Sequence, residues 1–591
     1  MKTNKFTKWL ILSLSIVALS GCDITLYPED KITPGSYFKS EQELELFTNT
    51  FYTYFPTTAI YEDEADIIIN PQLDDAVSGQ RIIPETKGGN LDGWGWTLLR
   101  QVNYYLENSP RCEDIEARAH YDGIARFFRA YFYYHKVRMY GNVPWYDQVI
   151  GSADNHLLNK PQDNRKYVTE KMVEDLNFAI ENIRTTDAPY RITKWAAMAL
   201  KSRVLLFEGT FRKYHGIDGW EECLEGCVEV SEEFMAKSGY SLYTSGSTPY
   251  QSMFNSSNAA SFKQEIILAR DFNGGVKLTH NAQTYVVSPT AGCAGVTRRL
   301  ADAYLMKDGS RFTDKQNYSK LSFVEECQNR DPRMAQTLRT PGFKSAPDLA
   351  AAKLGYQLIK YYVSNKSEEG ASDVDLPLFR SAEVYLNLAE AKAELGTLTQ
   401  ADLDKTINKL RARVGVSGLS MASANANPDP WLLSKEYGYP NLAANHGAYS
   451  NTTNLGVILE IRRERTVELV MEGLRYWDIM RWREGKVFEQ PFVGLYIPGP
   501  GLLDLNNDGT DDYNIQTASN EGDKDKATNL KIGTNIYLHG DGESGFLTIH
   551  SGLAREWRED RDYFYPIPTQ DRILTNGALK QNPGWDDKLP F

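Results

Sequence analysis

The amino-acid sequence predicts a mainly α fold, built from helix pairs that look tetratricopeptide-like and interrupted by long loop-rich insertions with a few short strands. Three observations carry this. Between residues 114 and 140, Ile124, Phe127, Phe128, Tyr131, Tyr134 and Val137 recur at helical spacing, and Phe132 and Tyr133 fill the remaining sides, so this helix is buried nearly all round. Two further helical stretches, 194–207 and 380–395, carry small residues (Ala196, Ala197, Ala199 and Ser202; Ala382, Ala389, Ala391 and Ala393) that allow close helix contact. Residues 238–300, 310–370, 420–452 and 495–560 are instead rich in Gly, Ser, Asn, Asp and Tyr, and loops of that length inside a folded body are usually functional. No clean repeat of the tetratricopeptide length, about 34 residues, is present.

In chain order, Leu44, Leu46, Phe47, Phe51 and Phe55 give 41–55 a helical pattern, and 96–108 reads as the next helix after a loop-rich stretch. The 114–140 helix is stopped by Gly141, and Pro144 prevents a restart. Val168, Met172, Leu176 and Ile180 mark 166–184, and Thr193 opens the helix from Lys194 to Phe207. Helices 380–395 and 402–413 pair around Gly396, and one long helix is expected over 455–483. The organisation expected is a single compact body divided as 1–21, 22–40, 41–235, 236–375 and 376–591, with 236–375 a loop-rich insertion on the ligand face.

The first residues address the chain. Lys2, Lys5 and Lys8 precede an apolar run from Trp9 to Leu19, followed by Leu19-Ser20-Gly21-Cys22. That is an export signal, since the run is too short for a hydrocarbon core of about 30 Å at about 1.5 Å per residue. Residues 1–21 are the signal peptide and 22–40 a polar tether with Pro28 and Pro34. The Leu-Ser-Gly-Cys run resembles the lipobox of bacterial lipoproteins, in which cleavage leaves a lipidated Cys22 as the new N-terminus, and its acyl chains give stable membrane anchoring. The net charge of −13 argues against nucleic acid or an anionic lipid surface as partner. The remaining cysteines, Cys112, Cys223, Cys227, Cys293 and Cys327, are scattered, offer no zinc spacing, and read as small buried hydrophobes.

The helical blocks resemble a known family. ARFFRAYFYY at 125–134 is followed by YGNVP at 140–144, RITKWAA at 191–197 and RSAEVYLNLAEA at 380–391. Glu464-Arg465 then leads through EGLRYWD at 472–478 to Arg481-Trp482, and the last blocks are YPIP at 565–568 and QNPGW at 581–585. In content and order these are similar to the SusD/RagB-like outer-membrane lipoproteins of Bacteroidetes. The resemblance implies a right-handed superhelix of tetratricopeptide-like pairs with a loop-rich ligand face. It also implies a non-catalytic role: capture of glycans, or in some members peptides, at the cell surface as a lid over a SusC-like TonB-dependent transporter. The expected location is the outer membrane, lipid-anchored and surface-exposed, with no cofactor required. A peptide-binding lipoprotein of the same architecture and a lipid-anchored glycoside hydrolase are the alternatives.

Sugar recognition needs aromatic faces for the apolar side of a pyranose and planar polar groups for its hydroxyl rim. Trp94 and Trp96, flanked by glycines in Asp92-Gly93-Trp94-Gly95-Trp96, fit that need, with Trp94 the stronger candidate because Trp96 opens a helix. Asn103 lies where related proteins place ligand contacts, and Asp74 and Arg81 lie in the neighbouring acidic loop. Tyr285, Tyr304, Tyr361 and Tyr362 are further candidates in the loop-rich regions. Glu460, Glu464, Glu468 and Glu472 stack along one helical face and suggest glycosidase carboxylates. The interleaved Arg462, Arg463, Arg465, Arg475 and Arg481 favour a structural ion-pair lattice instead, with Glu472–Arg475, Arg475–Asp478 and Asp478–Arg481 at i,i+3. Asp504, Asn506, Asp508, Thr510 and Asp512 space their oxygens like a calcium loop around Gly509, although Ile515 stands where the bidentate acid belongs. A structural calcium ion is the candidate there, and an Asn/Asp/Gly surface turn the alternative.

Overall fold

The computed structural model describes residues 37–57, 65–185, 189–364, 372–442, 444, 454–517 and 527–591. The signal segment, Cys22 and the tether as far as residue 36 lie outside the described residues. Helix α1 (Glu41–Asn49) starts on a capping box between Ser40 and Glu43 and continues as a tighter 3₁₀ turn to Tyr54. Helix α2 spans Thr97–Asn108, α3 Ile115–Tyr140, α4 Arg165–Asn182 and α5 Lys194–His215. Asp114, Asn164 and Thr193 each cap the following helix through a side-chain oxygen. Helix α5 runs a further two turns beyond its expected end, to Gly216 in the left-handed region (φ 70°). Helix α6 (Trp220–Lys237) was not expected; its Cys223, Leu224, Cys227, Val230 and Phe234 form the buried face.

These helices stack in sequence, α3 on α4, α4 on α5 and α5 on α6. The row then skips the inserted region and continues with α7 (Ser381–Leu395) on α6, and α8 (Leu455–Glu468) on α7. Each helix therefore packs mainly on its neighbours, as in helical repeat proteins. The insertion is tied back by strand β1 (Ile266–Arg270), antiparallel to β2 (Leu376–Arg380), which leads directly into α7. Farther on, β3 (Val493–Ile497), β4 (Gly501–Leu503), β5 (Tyr513–Gln516), β6 (Thr528–Lys531), β7 (Leu538–Gly540) and β8 (Gly545–Thr548) make two small sheets, ordered β3-β8-β7 and β4-β5-β6.

The core is divided. An aromatic core around Phe127, Phe128, Tyr131, Phe132 and Tyr133 joins α1 to α6, while a second core gathers the middle of the chain against α7 and α8. The side chains of β1 are shared: Ile266 faces the second core, and Ile267 and Leu268 face the first. Burial pushes the Cys223 and Cys227 thiols up to about 11 and about 12, as expected of apolar packing.

Two expected helices break. The 402–413 segment divides into Gln400–Lys405 and Ile407–Arg413 at Thr406 (φ −120°, ψ −93°). The 455–483 segment divides into α8 and α9 (Arg475–Arg481) because Met471 (φ 60°) and Gly473 (φ 73°) adopt left-handed conformations that no α-helix accommodates. The break redirects the charges. Glu472 pairs with Lys360 (2.8 Å) and Arg380 (2.8 Å), and Arg475 with Asp66 (2.8 Å), so only Asp478–Arg481 (2.9 Å) of the three expected i,i+3 pairs forms. Glu464 meets Arg333 (2.6 Å) and Arg411 (2.9 Å), and Glu468 meets Arg333, Arg380 and Arg413 at 2.6–2.9 Å. Glu460, Glu464 and Glu468 are buried and Glu472 is partly buried, and all four are matched by basic groups, so they knit separate segments together.

Candidate functional site

The loop ahead of α2 is held in one shape by contacts that exclude side chains. The Trp94 N–H donates to the Lys87 carbonyl (3.0 Å) and the Gly95 N–H to that of Gly89 (2.7 Å). A Cβ on Gly93 would lie 1.5 Å from the Gly88 carbonyl oxygen, so only glycine fits. The Leu98 N–H in the first turn of α2 donates to Asn90 Oδ1 (2.8 Å), a cap supplied from across the loop because Trp96 at the N-cap supplies none. Beneath it the fully buried Lys136 of α3 donates to the Gly93 carbonyl and lies 4.8 Å from the Phe132 ring centroid and 5.7 Å from that of Trp96. Burial brings the Lys136 pKa down to about 7, partly opposed by Asp92.

A cleft of about 590 Å³ opens on one side of this loop. Its lining brings together Trp94, Trp96 and Asn103 with Leu99, Arg100, Pro144, Tyr146, Gln148, Ile150 and Leu158, and with Asp571, Leu574, Thr575 and Leu579 from the region of helix α10 (Thr569–Leu574). The order of the tryptophans reverses the sequence expectation. Trp94 is only 3% exposed, packed edge-on against Trp96 (5.4 Å) and Tyr140 (4.6 Å), whereas Trp96 is partly exposed and edge-on to Tyr146 (5.7 Å). Asn103 is buried and fully engaged: its Nδ2 donates to the Tyr146 and Gln148 carbonyls (3.1 Å each), and its Oδ1 accepts from Arg129 (3.3 Å). Both ends of its amide are committed to the protein, so it shapes the cleft wall. Arg100 likewise ties the wall through the Ile150 carbonyl (2.6 Å). Asp571 is a half-buried carboxylate at the opposite lip, its pKa raised by burial. Gly93→Ala is expected to displace the loop, lowering stability by about 1–3 kcal/mol and shifting tryptophan emission; an unchanged emission spectrum would show that the loop absorbs the methyl group.

On the other side of the loop lies a cleft of about 610 Å³, lined by Tyr54, Phe55, Asp74, Lys87, Asn90, Leu91, Asp92, His135, Arg138, Trp477 and Tyr565. Asp74 lines it but caps the short helix Asp75–Ser78 through Ala76 N–H (2.6 Å). Arg81 stacks on Tyr565 (3.7 Å) and donates to the Tyr476 hydroxyl (2.9 Å) and the Asp562 carbonyl (3.3 Å), which makes it a brace behind this cleft.

The remaining sequence candidates are placed elsewhere. Tyr285, Tyr304, Tyr361 and Tyr362 belong to the second core and are between 0% and 6% exposed, so their rings offer no face to a ligand; hydrophobic burial claimed residues that a polar, irregular sequence had suggested were exposed. In the calcium-like loop, the Asp504 carboxylate accepts from the N–H groups of Asn507 (2.7 Å) and Gly509 (2.8 Å), Asp508 from Thr510 (2.8 Å), and Asp512 from Leu505 (2.8 Å) and Asn506 (3.3 Å). Asn506 Nδ2 adds a bond to Asp508 (3.0 Å). The loop closes on its own main chain, and among the described residues no group of three or more His, Cys, Asp or Glu side chains is arranged to hold a metal ion. Sequence reasoning missed the contributions of Tyr146, Leu158 and α10. An apolar pair, Ile573-Leu574, on a short polar helix was the one available hint, and nothing in its spacing placed it beside Trp96.

The sequence profile of the SusD family matches residues 260–585. The chain belongs to the SusD family. SusD-like protein P2 of Formosa agariphila is 23% identical over 554 residues, covering 86% of this chain and 98% of that protein. A SusD-like carbohydrate-binding protein from Bacteroides fragilis superposes with a TM-score of 0.64 at 19% identity, over 91% of this chain and 99% of its own. A second SusD-like protein from that organism gives 0.64 at 20% identity, over 95% and 100%. Among these SusD-like chains the mainly helical fold with short strands is therefore shared along nearly the whole length. The Trp96 cleft is built largely from residues N-terminal to the profile match and is closed by α10 at its C-terminal end.

Proposed function

We propose that this SusD-like protein binds an oligosaccharide in the Trp96 cleft and delivers it, without catalysis, to a SusC-like TonB-dependent transporter in the outer membrane. The observation that carries the reading is the partly exposed indole of Trp96, held on a loop that its glycines and Lys136 lock in place, at the floor of a cleft of sugar-binding size. Thr97, Gln148, Asp571 and Thr575 supply hydroxyl-reading groups around it. The likeness to a carbohydrate-binding SusD-like protein supports the same choice. The glutamates that raised the hydrolase alternative are buried in ion pairs, so no paired carboxylate reaches this cleft. Titration of the purified protein with glycan and peptide libraries by calorimetry tests the reading, and peptide binding with no glycan heat would overturn it. A peptide ligand is the second reading, favoured by the apolar side chains at the mouth, Leu158 (41% exposed) and Leu574 (66% exposed).

In this reading lipidated Cys22 holds the cleft beside its transporter at high effective concentration. Cys22→Ala is expected to leave affinity in solution unchanged and to abolish uptake by cells. Undiminished uptake would show that the anchor has no part in delivery.

A further inference from the structure

We propose that the cleft on the far side of the glycine-rich loop is a separate subsite for an anionic group, a carboxylate or a sulfate ester, on the sugar ligand, held by Arg138 with Lys87 at its rim. The inference rests on the glycan reading above. It starts from a guanidinium that lines a cleft and that no carboxylate among the described residues matches. Arg333, Arg380 and Arg413 in the core are each matched by buried carboxylates. Arg138 lines the cleft, is half-buried, and makes no ion pair with a carboxylate among the described residues. Its Nε is buried with no hydrogen-bond partner. The guanidinium lies 4.1 Å from the Trp477 ring centroid, a stack that fixes its plane.

Its polar neighbours are the neutral hydroxyl of Tyr134 and the ring of His135, which cannot serve it fully. Nδ1 of His135 is 2.8 Å from Arg138 Nη2 and 3.0 Å from the Leu91 carbonyl oxygen. One ring nitrogen donates to the carbonyl or accepts from the guanidinium, never both. Burial, with Arg138 adding to it, holds the His135 pKa well below its ordinary value, so the ring is neutral and brings no competing charge. Of the acids of the cleft, Asp74 caps its own short helix, and Asp92 is an exposed group at the rim that acts on the buried Lys136 only through its charge. A half-buried cation of this kind is costly unless an anion completes it. Carboxylate and sulfate oxygens match the planar fork of arginine, and the exposed Lys87 can add long-range attraction.

The test is calorimetric titration of the full chain with hexamers of galacturonic acid, of sulfated galactose and of neutral galactose. At least one anionic hexamer is expected to bind about tenfold or more tightly than the neutral one, with the preference falling as salt rises. The two anionic arms distinguish carboxylate from sulfate. Arg138→Gln should remove the preference and leave neutral affinity unchanged, and Arg138→Lys should restore part of it. Lys87→Gln, at an exposed position, should reduce it about threefold. Equal binding of all three hexamers, or an Arg138→Gln loss that is the same for all three, would overturn the proposal while leaving the Trp96 reading intact. Absence of binding by every hexamer would instead remove the glycan reading, and this subsite with it.

Discussion

Glu468→Ala is expected to destabilise the protein by about 3–5 kcal/mol at neutral pH, the cost of leaving buried charges uncompensated. Glu468 is fully buried, and its two oxygens take Arg380 (2.6 Å), Arg413 (2.6 Å) and Arg333 (2.9 Å). These arginines come from the insertion, from the end of β2 and from the Ile407–Arg413 helix, so one carboxylate joins segments that the chain itself keeps apart. Burial alone would raise its pKa, but Arg413, Arg380 and Arg333 outweigh burial and hold it well below the ordinary 4.5. A depressed carboxylate contributes stability that is complete above its unfolded pKa and is lost as pH falls toward its folded value. The gap in melting temperature between wild type and Glu468→Ala should therefore be constant above about pH 5 and narrow below 4.5. Thermal scans by circular dichroism across pH 3–8 read it directly, and a gap that stays constant throughout would refute the assignment. Glu390, held at about 2 by Arg481 and Arg465 against the opposing effect of burial, should lose its contribution in the same acid range.

Trp96→Ala is expected to weaken glycan binding by about 2 kcal/mol, roughly thirtyfold in Kd. The figure combines the stacking of one aromatic face on a sugar with the apolar area withdrawn from water. Trp94 cannot substitute, because it is buried edge-on behind Trp96. The loop itself should hold, since Gly93, Asn90 and Lys136 position it through main-chain contacts that do not involve the indole. Far-ultraviolet circular dichroism checks that the helices survive. Tyr304→Phe is the control: Tyr304 was a further, weaker candidate by sequence but is wholly buried, and affinity should not change. A loss smaller than threefold for Trp96→Ala would place the ligand elsewhere on the protein.

The helices were legible because their information is local. The 114–140 periodicity, the opening at Thr193 and the stop at Gly141 act within a few residues, and the observed helices α3 and α5 begin close to where those signals put them. Where local signals ran continuously through a break, at Thr406 and at Met471 to Gly473, the reading failed, because contacts with distant segments selected backbone conformations that helix propensity opposes. The arginine–glutamate pattern announced an ion-pair lattice correctly in kind. Its partners were not readable, because Asp66, Arg333, Lys360 and Arg380 arrive from regions with no shared periodicity.

The clefts follow the same division. Composition alone singled out Trp94 and Trp96 between glycines, since two large rings in so flexible a sequence need a special reason. Which ring faces outward was decided by Tyr140 and Tyr146, and Asn103 was turned from ligand contact into wall support by two carbonyls of the 146–148 segment. The rings at 285, 304 and 361 were claimed by a core whose extent no loop composition reveals. By itself the sequence determined most of the helices, the family and the aromatic loop, because each is written in residues close together along the chain. Only the tertiary structure decided the clefts, the exposed face of Trp96 and the unmatched charge of Arg138, because these depend on what distant segments bring, or fail to bring, against them.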